Sequence, residues 1–195
     1  MQFTTFFIIL AVVLIIYFIS AYNWFQASLT RIKASIQEIG NQLKRQASLI
    51  PNLQSSAKGY LKHEKGIFKA LTDARKAVDT AVKEGKASQI SKAADQMSKL
   101  LPKLQILVES NPEIKGEKVI TKLMDELRDT ADKLMYSRRT VIDLSQDFNQ
   151  KLAVFPTNII GKMFGFVNQK GLSTPVAGAH LKVSESETKD PKISL

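Results

Sequence analysis

The first thirty residues contain no Asp, Glu, Lys or Arg; all 28 Lys+Arg and all 18 Asp+Glu follow Thr30. Within that uncharged part, Phe3 to Ile19 is apolar apart from Thr4 and Thr5. As a helix this stretch is roughly 26 Å long, and adding Ala21 to Phe25 brings it to roughly 35 Å, enough for a hydrocarbon core of about 30 Å. The chain therefore reads as a single-span membrane protein carrying a basic domain. The span is represented by Phe3, Phe6, Ile9, Val13, Ile16 and Ile19, and Tyr17, Tyr22 and Trp24 suit the aromatic belt at one interface. The competing reading is a cleaved signal peptide. Such a leader wants a positive n-region, where Met1-Gln2-Phe3 offers only the terminal amine, and a small-x-small cleavage site, which does not stand out. The chain has no Cys, which excludes lipoprotein processing and fits a reducing compartment.

No Lys or Arg precedes the span, whereas Arg31, Lys33, Lys44 and Arg45 follow it. By the positive-inside rule the N-terminus lies outside and the domain in the cytoplasm. A domain on the opposite face is the alternative.

Beyond the span the pattern is helical, and sustained period-2 alternation is absent. Leu29, Ile36, Leu43, Ile50, Ala57, Glu64, Leu71 and Val78 sit seven apart, and Ile32, Ile39, Gln46, Leu53, Tyr60, Ile67, Ala74 and Ala81 form the companion row. This is an a/d stripe of the coiled-coil kind, interrupted in chemistry mainly by Gln46 and Glu64. Pro51 falls inside it without shifting its phase, which favours one long kinked helix from the membrane to about Glu84 over a break at Ile50-Pro51. Gly85 then stops the helix. A shorter repeat follows in Ile90, Ala94, Met97, Leu101, Leu104 and Val108, where Pro102 kinks or ends the helix. Ser110-Asn111-Pro112 is a turn. The last long repeat holds Ile120, Leu127, Leu134, Val141, Phe148 and Phe155, flanked by Leu123 and Leu152 and ended by Pro156.

The expected fold is thus all-α: an N-terminal transmembrane helix continuing into a long antiparallel helical bundle built from three long segments. The boundaries are 1–25 for the anchor, 26–156 for the bundle, 157–172 for a short amphipathic segment and 173–195 for a polar, disordered tail. In the amphipathic segment Ile159, Ile160, Met163, Phe164 and Phe166 crowd around Lys162, and Gly161 and Gly165 weaken the helix. It either folds back on the bundle or lies on a membrane or a neighbouring subunit.

Several blocks resemble the LemA family. They are Tyr22-Asn23; Gln42-Leu43-Lys44-Arg45; Leu49-Ile50-Pro51-Asn52-Leu53; Lys58-Gly59-Tyr60; His63-Glu64; Ala74-Arg75; Asn111-Pro112-Glu113-Ile114-Lys115; Asp125-Glu126-Leu127; Thr130; Arg138-Arg139; Phe148-Asn149; Phe155-Pro156; and Phe164-Gly165-Phe166. The resemblance spans residues 20 to about 168. The chain departs from the family pattern at Asn111, Ala131 and Thr140-Val141. The resemblance implies a helical cytoplasmic domain on an N-terminal anchor, in a bacterial inner (cytoplasmic) membrane or an intracellular membrane derived from it. It supplies no catalytic activity. One branch resembles a protein needed to form intracellular membrane compartments, which suggests membrane organisation by analogy.

Enzymatic chemistry finds little support. His63-Glu64 lacks the second His that a zinc protease helix places four residues on, because that position is Ile67. Paired Glu-x-x-His elements and a Gly-rich phosphate loop are absent, and there is no thiol. No catalysis, cofactor or metal is expected. The acidic run Asp125, Glu126, Asp129 and Asp132 reads as a solvated helix face. Glu64 on the a row needs a partner, and Gln46 and Tyr60 share a polar layer with it. Lys44 and Arg45 either pair with acids across helices or contact acidic lipid or another subunit. The net charge of +10 is spread along helices with few aromatics, so nucleic acid is not an expected partner. Anionic headgroups are.

Two functions follow as expectations. The first is a membrane-anchored helical scaffold that self-assembles as a homo-oligomer and organises or shapes the membrane. The second is a membrane-tethered adaptor or signalling module that docks a cytoplasmic protein through polar residues such as Lys44, Arg45, Tyr60 and His63.

Overall fold

The computed structural model describes residues 2–59, 65–115 and 117–172. Every regular element among them is a helix: α1 (Gln2–Ala57), α2 (Lys65–Glu84), α3 (Ala87–Ser110), the single turn α4 (Pro112–Lys115), α5 (Lys118–Ala153) and α6 (Thr157–Met163). Tyr60, His63 and Glu64, and the tail expected over 173–195, lie outside the described residues.

The apolar stretch is the first third of α1, and the helix runs on from it into the domain without interruption. Pro51 sits inside α1 and does not end it. The expectation of one helix reaching Glu84 is corrected here. α1 stops at Ala57, Lys58 and Gly59 turn, and α2 begins at Lys65 and packs back along α1. The Gln54 side-chain amide donates to the Phe68 carbonyl at 3.2 Å at one end of this hairpin. At the other end Gly40 faces Val82 and Ile90. The heptad phase survives the reversal because the interval from Lys58 to Glu64 is itself one heptad long. Both rows therefore face inward on both arms: Ile39, Leu43, Ile50 and Leu53 on α1 and Leu71, Ala74, Val78 and Ala81 on α2 are buried.

Gly85 supplies the left-handed backbone (φ 65°) that closes α2, and its N–H bonds the Ala81 carbonyl at 3.0 Å. α3 then rises again and continues through Pro102 to Ser110. Asn111 is extended (φ −114°, ψ 103°), as a residue before proline must be, and Pro112 opens α4 where no N–H is needed. Ile114 plugs that turn into the core. α5 returns the full length of the bundle antiparallel to α1, with Glu126 beside Arg45 and Phe148 beside Phe25. Among the described residues four long helices thus pack where three were expected. α5 ends at Ala153, short of Pro156, so Phe155 leaves the apolar row and is 78 % exposed.

The core has two parts. The larger runs through α1, α2, α3 and α5. The smaller lies towards the apolar stretch and is built on Phe25, Ile32 and Phe148. Ile36 packs against both, so they form one continuous interior.

Candidate membrane interface and helix groove

Seventeen consecutive side chains from Phe3 to Ile19 find almost no protein to cover them. Phe3, Phe6, Ile9, Val13, Ile16 and Ile19 are between 54 and 82 % exposed. The first helix thus contains one segment long and apolar enough to cross a membrane, by length and composition. A soluble core helix would bury one face, and none of this window is buried.

The contacts begin at the last turn of the stretch and are aromatic. Phe18 meets Phe164 at 5.6 Å between ring centroids, and Tyr22 meets Phe164 at 4.6 Å. Phe25 stacks on Phe166 at 4.8 Å and meets the edge of Phe148 at 5.3 Å. Trp24 lies 6.4 Å from Phe148, and the Lys151 ammonium sits 4.1 Å above its ring. Tyr22 and Trp24 are therefore half-buried in protein, whereas Tyr17 is exposed. Asn23 is exposed.

The segment after α5 is what completes this cluster. Thr157 Oγ1 donates to the Lys151 and Val154 carbonyls and tightens the corner. Gly161 lies against Leu152 and Phe25, where a Cβ would collide with the Leu152 side chain. Gly165 adopts φ 68° and turns the chain, with the Phe166 N–H bonding the Gly161 carbonyl at 2.9 Å. The chain then climbs α5. Asn149 holds Gln169 twice, accepting from its N–H and donating to its carbonyl, both at 2.8 Å. Further along, Leu172 is buried in the larger core. Of the expected amphipathic residues, Ile160 is buried and Phe166 half-buried, while Ile159, Met163 and Phe164 remain 46–59 % exposed. The segment does fold back on the bundle, yet keeps an apolar outer face.

The basic residues after the apolar stretch divide. Arg45 reaches Glu126 on α5 at 2.8 Å, and that hydrogen bond and charge raise its guanidinium above its ordinary value. Lys44 and Asn52 are exposed, Pro51 is half-buried, and Gly59 lies in the turn after α1. Gln42 donates to Glu38 at 2.6 Å. Gln46 is fully buried, and neither atom of its amide has a partner among the described residues. The acidic run is on the surface, with Asp129 held by Lys133 at 2.7 Å.

A second feature was not foreseen. α3 and α5 leave a groove of about 560 Å³ between them. It is lined by Leu101, Pro102, Met124, Leu127 and Met135 together with Arg128, Asp132, Arg138 and Arg139. Arg138 is braced by Asp95 on α3 at 2.7 Å. Met135 is 66 % exposed. The mixed stripe of arginines and apolar residues along α5 was its only sequence signal. No group of three metal-ligating side chains is present among the described residues.

The family model described as LemA family matches residues 35–193. No curated protein matches the chain.

Proposed function

The chain belongs to the LemA family, and from that premise we propose that it is a membrane-anchored helical scaffold that self-assembles and organises or shapes its membrane, without catalysis. The observation that carries this reading is the continuity of α1. An apolar, uncovered segment passes into the core of the bundle as one helix, so the bundle is coupled directly to the lipid. The N-terminus lies outside and the basic domain on the cytoplasmic face, as the placement of Arg31, Lys33, Lys44 and Arg45 favours. The membrane is the bacterial inner membrane or one derived from it. The test is the mass of the detergent-solubilised full chain over a wide concentration range. A discrete oligomer is expected; a strict monomer throughout overturns self-assembly.

The groove between α3 and α5 favours a second reading, a tethered adaptor that docks a cytoplasmic protein. Under that reading Met135→Glu abolishes capture of a defined cytoplasmic partner while the particle mass stays unchanged. Under the first reading the same substitution leaves the assembly and its membrane effect intact.

A further inference from the structure

We propose that the corner between α5 and α6 is a second membrane contact, a foot that enters the leaflet from which α1 emerges. The inference rests on the reading of α1 as a span. Val154, Phe155, Ile159, Met163, Phe164 and Val167 are each 46–78 % exposed and fall within fourteen consecutive residues. Scattered exposed apolar residues need no explanation, but a contiguous group of this kind marks an interaction surface.

Two observations identify the occupant as lipid. The first is position. Phe164 packs on Phe18 and Tyr22, the last turn of the apolar stretch, so the foot stands level with the point where a spanning α1 leaves the hydrocarbon. The surface it offers is continuous with that of the span. The second is charge. From Phe148 to Leu172 there is no Asp or Glu, while Lys151, Lys162 and Lys170 are present, and residues 1–30 are uncharged. The stretch from Phe148 to Leu172 thus combines exposed apolar side chains with positive charge alone, the composition of an interfacial segment facing anionic headgroups. The nearest exposed acids, Asp147 and Asp143, lie one and two turns further up α5 than Lys151. Phe166 and Gly161 hold the foot from within against Phe25, Phe148 and Leu152, and Ile160 is buried, so its outer face is preformed.

The absence of cysteine allows single-site labelling of the full chain. Phe155→Cys, Val167→Cys, Val13→Cys and Asp143→Cys would each carry an environment-sensitive fluorophore in vesicles of mixed anionic and zwitterionic lipid. Positions 155 and 167 are expected to be quenched several-fold more by a quencher attached high on the acyl chains than by aqueous iodide, and position 143 the reverse. Position 13 reports the span through a quencher placed deep in the bilayer. If 13 is quenched and 155 and 167 remain as open to iodide as 143, the foot is overturned and the span stands. Shielding of 155 and 167 from both quenchers means that a second protein surface covers them, which also overturns the lipid assignment. If 13 is not quenched either, the reading of α1 fails along with the foot.

Discussion

Gln46 shows how much a single position can hide. It occupies a core row of α1, and the row correctly placed it inside. Its amide has given up water without gaining a partner among the described residues. A buried polar group in that state costs about 1–3 kcal/mol. Gln46→Leu is therefore expected to stabilise the full chain by about 1 kcal/mol in chemical denaturation followed by circular dichroism. A loss of similar size would mean that the amide selects one arrangement of helices over another. Phe148 is the opposite case. It is fully buried and touches Trp24, Phe25 and Phe166, so Phe148→Ala is expected to cost about 3–5 kcal/mol in the same measurement. Its place in the last apolar row was legible. Its aromatic partners were not, because they come from α1 and from the segment after α5, and heptad spacing says nothing about which distant segment will cover a position. The polar layer of Gln46 with Tyr60 and Glu64 falls partly outside the described residues.

At the scale of elements, the stripe identified the inward residues of α1 and α2 while misplacing the bend between them. Pro51 was the stronger breaker by chemistry, yet a helix accommodates it where neighbouring packing outweighs one lost hydrogen bond. The reversal occurs after Ala57, and its one-heptad interval leaves no phase error to read. A single helix and a hairpin predict different distances. In one helix Gln54 and Thr72 would be roughly 27 Å apart; in the hairpin their side chains hydrogen-bond at 3.3 Å. Spin labels at these two exposed or half-exposed positions are expected to couple at short range. A distance near the longer value would restore the continuous helix. The same reasoning covers Pro102, which α3 also absorbs. By contrast, Gly85 and the Asn111-Pro112 pair were read correctly, because a left-handed glycine and an extended residue before proline are local requirements that no packing needs to supply.

For the whole molecule, the all-helical bundle with one long apolar leading segment follows from composition and period, and both are visible in the chain. The groove was not, since it arises from how α3 and α5, joined by the short α4 turn, lie against one another, which apolar spacing along each helix does not state. The foot was half visible: its apolar crowding could be read, but its height beside Phe18 required the fold. If α1 spans, alkaline carbonate treatment of membranes is expected to leave the full chain in the pellet, and release into the supernatant would remove the basis for anchoring. The unbroken course of α1 has a mechanical result. Ile19 and Ile50 are separated by roughly 46 Å of helix, so an ordinary span tilt of about 20° would swing the distal end sideways by roughly 16 Å. If the foot enters the bilayer on one flank only, the rod would lean freely just one way. Bilayer thickness, which sets tilt, would thereby be converted into the bearing of the outermost helices.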